Sequence, residues 1–262
     1  MNQPKVIFSQ WDKAARLAAL RRAIHALEGG PAASEPLAFG DPLIDRPLGG
    51  GLARGALHEI AATSPLAAAP LGFALALVAR ASGPLVLVLH EPAAAEDGAP
   101  YGPGLDAFGV TPERLLLVRV RRAEQVLWAM EEALRLAALA AVIGEIRGNA
   151  RAIDLVATRR LALAACKSHV PAFLLRAGAR PGAIAAATRW AIGPAPSADA
   201  LGPGPPRLEA RLLRNRSGAL GAWILEWSPH AYRFRAVATL SQPVAAAASD
   251  RPAATAARRR AG

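Results

Sequence analysis

The stretch FGDPLIDRPLGGGLARGALHEIAATSPLAAAPLGFALALVAR, residues 39–80, organises this 262-residue chain. It has the layout of a phosphate-binding unit: a glycine-rich turn (Gly49, Gly50, Gly51), a short strand over residues 56–61, a loop, and an apolar helix over about residues 66–80. A working phosphate loop needs glycines whose backbone N–H groups wrap the phosphate. It also needs a Lys that reaches the outer oxygens and a Ser or Thr hydroxyl for magnesium. The loop here reads AATSPLAAAPLG, with no Lys, and no Ser or Thr stands where the helix should begin. The scaffold is expected without its chemistry.

Downstream, residues 84–90 (PLVLVLH), 115–120 (LLLVRV), 139–146 (LAAVIGEI) and 170–176 (VPAFLLR) are short apolar runs. Such runs fit strands in a sheet covered on both faces. Helical periodicity separates them: residues 123–138 place Val126, Leu127, Met130 and Leu134 on one side, and residues 153–168 do the same with Leu155, Thr158, Leu161 and Ala165. Residues 91–104, rich in Gly and Pro, read as loop. This alternation predicts βαβ units, a mostly parallel sheet and right-handed crossovers. Residues 189–192 suggest a further strand, and residues 207–214, 221–227 and 231–237 an antiparallel ribbon at one end of the sheet.

Upstream, residues 11–28 form an amphipathic pattern with Leu17, Leu20, Ile24 and Leu27 on one stripe, stopped by Gly29, Gly30 and Pro31. That helix is expected to pack on its own core or on a neighbour. The expected division is an N-terminal helix over residues 1–30, a core over 31–196, a C-terminal β extension over 197–240 and a disordered basic tail over 241–262.

Hydrophobic residues make up 53% of the chain, enough for a sizeable core, and the formal net charge is +11. A positive balance this large suggests a polyanionic neighbour, most simply nucleic acid; an Arg-rich solvated surface is the plainer alternative. The one cysteine, Cys166, excludes an internal disulfide and a zinc cluster of cysteines. No apolar run approaches the roughly 20 residues of a membrane span, and the N-terminus lacks the apolar core of a signal peptide. A cytoplasmic protein without membrane contact is therefore expected. The histidines show no metal-ligand spacing, and no Ser/His/Asp arrangement is visible.

The order of elements resembles the RecA-type recombinase and ATPase core. The motifs that carry the likeness are Ile44-Asp45, the Gly49–Gly51 turn, and Gly55 through Glu59-Ile60, in GDPLIDRPLGGGLARGALHEI. The resemblance implies an α/β fold: a RecA-like, P-loop-NTPase-type core with a mostly parallel sheet flanked by helices, an N-terminal helix and a C-terminal antiparallel extension. Against that family the degenerate loop comprises Ala62, Ala67, Ala68 and Ala69, the last three standing where Gly-Lys-Thr would. Glu91 falls where the family places its water-activating Glu, and Glu145 ends the strand that should carry a magnesium-linked Asp. No catalytic residue, bound cofactor or metal is expected.

A lost phosphate loop, an Arg-rich chain and the closing segment Arg214-Asn215-Arg216, Gly218, Trp223 and Glu226-Trp227 together resemble the ImuA family. That resemblance implies a non-catalytic accessory factor of SOS-type, damage-induced mutagenesis and translesion synthesis. Its implied partners are an ImuB-like Y-family polymerase relative, an error-prone C-family DNA polymerase and RecA. Candidate DNA or partner contacts are Arg147 and Arg151 after the third of the apolar strands above, Arg176, Arg180 and Arg189 around the fourth, and Arg214, Arg216, Trp223 and Trp227 in the ribbon. Trp190 has two readings, a base-stacking loop aromatic or a core residue. Two rival functions remain: a RecA-superfamily ATPase with an unorthodox P-loop, and a cell-division inhibitor of the SulA kind.

Overall fold

A computed structural model describes residues 35–64, 68–178, 182–197 and 204–239. The expected N-terminal helix, the basic tail, Ala67 and Arg180 lie outside the described residues. Nine strands form one sheet in the order β3-β2-β4-β5-β1-β6-β7-β8-β9. β1 (Leu57–Ala62), β2 (Leu85–His90), β3 (Leu115–Val120), β4 (Ala141–Arg147), β5 (Ala172–Ala177) and β6 (Thr188–Pro194) pair in parallel. β7 (Arg207–Asn215), β8 (Gly221–Ser228) and β9 (Arg233–Thr239) continue the same sheet as antiparallel neighbours. This is the α/β architecture expected from the sequence.

The helices are α1 (Pro42–Asp45), α2 (Ala69–Val78), α3 (Glu91–Asp97), α4 (Gly102–Ala107), α5 (Ala123–Ala133) and α6 (Leu155–Ser168), with a 3-10 turn over Pro112–Arg114. Residues 91–104, read from sequence as loop, hold α3 and the start of α4. Both helices carry Pro in their first turn, where its missing N–H costs nothing. α2 is buried almost throughout, including Phe73, Leu75 and Val78. That is why an all-apolar segment without an amphipathic stripe still forms a helix here.

Two apolar layers sandwich the sheet. On one face Ile60, Leu87, Ile143 and Trp190 pack with α2 and the leader residues Leu37, Phe39 and Ile44. On the other, Leu57, Val88, Val142 and Leu174 pack with α5 and α6. The alternation of strand side chains sets this division. α5 lies close against β4, since a Cβ on Gly144 would sit 2.1 Å from Met130 Sδ. β3 is an edge strand, half exposed rather than buried. No described helix is long and apolar enough to cross a membrane.

Candidate functional site

β1 ends at Ala62, and its continuation is held to β6 by the Thr63 amide, which donates to the Ile192 carbonyl at 2.9 Å. α2 begins at Ala69 with Ala68 as its N-cap, which makes no side-chain hydrogen bond. A helix N-terminus attracts an anion through its unpaired N–H groups. Transfer chemistry on a triphosphate needs, beyond that, a cation and a hydroxyl at this point. Ala68 and Ala69 supply neither. Directly after β2, which β4 and β5 separate from β1 in the sheet, Glu91 opens α3 and meets Arg121 at 3.3 Å in an exposed pair. Glu145 lies between Leu89 and Leu175 in the register of β2, β4 and β5. Among the described residues no three His, Cys, Asp or Glu side chains cluster as a metal site.

The Gly49–Gly51 turn lies at the other end of β1 from this loop. Its work is structural. Leu37 and Leu52 exchange backbone hydrogen bonds at 2.7 and 3.0 Å, and a Cβ on Gly51 would fall 2.2 Å from the Leu37 carbonyl oxygen. A six-residue strand is about 20 Å long, so these glycines cannot wrap a phosphate at the β1–α2 loop. A shallow groove of about 560 Å³ beside them is lined by Gly40, Pro42, Asp45, Arg46, Gly49 and Gly50. Its one carboxylate is already committed: Asp45 accepts from the Phe39 amide at 2.7 Å and the Gly40 amide at 2.9 Å. Asp41 caps α1 through the Leu43 amide and accepts from the Ala236 amide of β9 at 2.9 Å. The Asp residues of the leader thus tie it to itself and to the last strand.

Glu59, the other motif carboxylate, is buried in β1 between two guanidinium groups. Arg189 of β6 bonds it directly through Nε, and Arg176 of β5 approaches to 3.8 Å. Arg176 also donates to the Gly148 carbonyl at 3.3 Å and Arg189 to the Gly182 carbonyl at 2.5 Å. Burial pushes the Arg176 guanidinium below its ordinary pKa; Glu59 counters that, and the Arg189 charge adds to it. Arg176 Nε has no hydrogen-bond partner among the described residues. These two arginines are therefore set inside the fold, where they hold the segments after β4 and β5.

The remaining candidates separate into two groups. Arg151, Arg214 and Arg216 are exposed, and Arg147 is half-buried at the end of β4. Arg214 reaches back to the Ile184 carbonyl at 3.2 Å. Trp223 and Trp227 are buried, as is Trp190, which resolves its two readings in favour of the core. Trp227 Nε1 donates to the Ala107 carbonyl at 2.8 Å, and its ring packs edge-on to Phe234. The tryptophans alternate inward along β8 with the outward Glu226, so their spacing reported a buried strand face. Glu226 is held below the usual carboxylate range by Arg235 and Arg207.

One buried polar network escaped sequence reading. His58 Nε2–H donates to the Ala53 carbonyl at 2.8 Å, which makes Nδ1 the acceptor for the Thr188 hydroxyl at 2.8 Å. The Thr188 oxygen in turn accepts from Trp190 Nε1 at 3.0 Å. Desolvation pushes the His58 pKa down to about 4, so the ring is neutral. Its partner Thr188 is 130 residues away, and no local pattern could have announced the contact.

No protein-family model matches the chain. It is 36% identical over 234 residues to Protein ImuA of Caulobacter vibrioides strain NA1000 / CB15N, an alignment spanning 79% of this chain and 92% of that protein. The same values hold for Protein ImuA of strain ATCC 19089 / CIP 103742 / CB 15 of that species. Among solved structures it is similar to the RadB recombinase. The TM-score is 0.51 at 18% identity, over 74% of this chain and 96% of that one. At that identity the likeness speaks for a recombinase-type fold alone.

Proposed function

The chain belongs to the ImuA family, and from that premise we propose that it is a non-catalytic accessory protein of DNA-damage-induced mutagenesis. It acts in translesion synthesis beside an ImuB-like Y-family polymerase relative and an error-prone C-family DNA polymerase, with RecA as a further partner. One observation carries the non-catalytic part. The carboxylates that hold the recombinase-type core together, Asp45 and Glu59, are kept and engaged, while Ala68 and Ala69 stand where ATP chemistry needs a cation and a hydroxyl. The protein then works through its surfaces. Exposed Arg151, Arg214 and Arg216 are suited to phosphate or acidic partner groups.

Two measurements on the full chain test this reading. ATP turnover should not exceed that of a protein-free control, and turnover abolished by Glu91→Gln would refute the non-catalytic role. Affinity capture from DNA-damaged cells should recover the Y-family relative and the error-prone polymerase. Capture of a tubulin-like division protein in their place would overturn the proposal. DNA contact through the arginines would appear as binding that weakens steeply as salt rises.

A further inference from the structure

Helices α5 and α6 lie side by side on the face of the sheet that carries Val88 and Val142. α5 joins β3 to β4 and α6 joins β4 to β5, all parallel strands, so the two helices run in the same direction. Arg160 Nε of α6 donates to Glu131 of α5 at 3.0 Å and fixes their relative level. One turn before that pair stand Trp128 on α5 and Val156 on α6, and Leu163 follows one turn after it on α6. They are 61%, 68% and 55% exposed. Residues three or four apart share a helix face, so the three form one apolar seam. An exposed Trp flanked by two large aliphatics marks a protein-binding surface more than a solvated one.

The charges beside the seam are sorted by helix. α5 carries Glu124, Glu131 and Glu132 and no cation. α6 carries Arg159, Arg160 and Lys167 and no carboxylate. An acidic strip and a basic strip thus run side by side, with the apolar residues set between them. Glu131 and Arg160 satisfy each other within the chain. Glu132 meets Arg135 at 3.1 Å in an exposed pair, which contributes little. Arg159 is exposed and has no carboxylate partner among the described residues.

Such a surface is complementary to itself. A two-fold axis along the seam lays α5 of one copy over α6 of the other, acid on base, with the helices parallel; an axis across the seam would lay like charge on like. The first arrangement carries Trp128 of each copy onto Val156 of the other, at the level that the Glu131–Arg160 pair fixes. One turn further on, Glu132 of each copy faces Arg159 of the other.

We propose that the α5–α6 face is a self-association surface, on which a second copy of this chain docks about that two-fold axis. Trp128, Val156 and Leu163 form its apolar centre, and Glu132 and Arg159 set its orientation.

Sedimentation of the nuclease-treated full chain over a range of concentrations is the test, and it should show a monomer–dimer equilibrium. Trp128→Ser/Val156→Ser should raise the dimer dissociation constant by about tenfold or more, as loss of a buried Trp does at an interface. Glu132→Arg and, separately, Arg159→Glu should each do the same by setting like charges face to face. Mixing those two charge variants restores opposite charges at both contacts, so the mixture should dimerise as tightly as the unmodified chain while neither variant does alone. None of the four side chains is buried, and circular dichroism melts of the variants should match that of the unmodified chain. A monomer at every concentration, whether the seam is covered from within the chain or kept for a different protein, overturns the proposal. So does a dimer that the substitutions leave intact, or one that mixing the charge variants fails to restore.

Discussion

His58 makes stability depend on pH in a way that can be worked through. Its ring is buried and neutral, donating from Nε2 and accepting at Nδ1. A proton on Nδ1 would meet the hydroxyl hydrogen of Thr188, whose oxygen is already occupied by Trp190. In the unfolded chain the same ring takes up a proton near the ordinary value of 6.5. Between pH 6.5 and 4 the unfolded state therefore binds more protons, and the stability that is full above 6.5 is lost as pH falls. The fall in pKa from 6.5 to about 4, at about 1.4 kcal/mol per pH unit, corresponds to about 3 kcal/mol. About 1 kcal/mol of it should be gone by pH 5.5 and about 2.5 kcal/mol by pH 4.5. Urea melts followed by tryptophan fluorescence at pH 7, 5.5 and 4.5 measure this directly. Carboxylates titrate in the same range, so the diagnostic quantity is the difference from His58→Gln. That variant can still donate to Ala53 and accept from Thr188 but does not titrate. Its stability at pH 7 should be lower, and its loss on acidification smaller by the amounts above. Parallel stability curves for the two proteins would refute the reasoning.

Three substitutions probe the packing. Asp45→Ala removes the acceptor for two backbone N–H groups of the leader and should cost about 3 kcal/mol in denaturant melts. Glu59→Gln leaves Arg176 and Arg189 facing each other inside the sheet. Breaking such a pair should cost about 3 kcal/mol or more, and proteolysis should quicken in the segments after β4 and β5, which the two arginines hold. Gly144→Ala forces Met130 and Val126 off β4, with an expected loss of about 1–3 kcal/mol from overpacking, read as a lower melting temperature.

Much of the core was legible in advance because its signals are local. Apolar runs at 84–90 and 170–176 became central strands, and the alternation of strand and helix determined a parallel sheet with crossovers. The edge position of β3 was not legible. LLLVRV reads as a buried strand, but a strand's burial depends on its neighbours in the sheet and not on its own hydrophobicity. The burial of the ribbon tryptophans was not legible for the converse reason. Trp223 and Trp227 sit two positions either side of Leu225, on the face that joins Phe39 and Phe234 in one core cluster. An alternating strand places its aromatics inward whenever that face is covered.

The sequence by itself determined that residues 67–69 carry neither an amine nor a hydroxyl, since an alanine side chain cannot supply either wherever it is placed. It also determined family and fold class, through motifs contiguous along the chain. Only the tertiary structure decided what the surviving motif residues do. The glycine turn closes against Leu37, Asp45 holds the leader backbone, and Glu59 balances Arg176 and Arg189 inside the sheet. Those partners lie at separations of up to 130 residues, and charge balance within a low-dielectric interior depends on distance in space and not on distance along the chain.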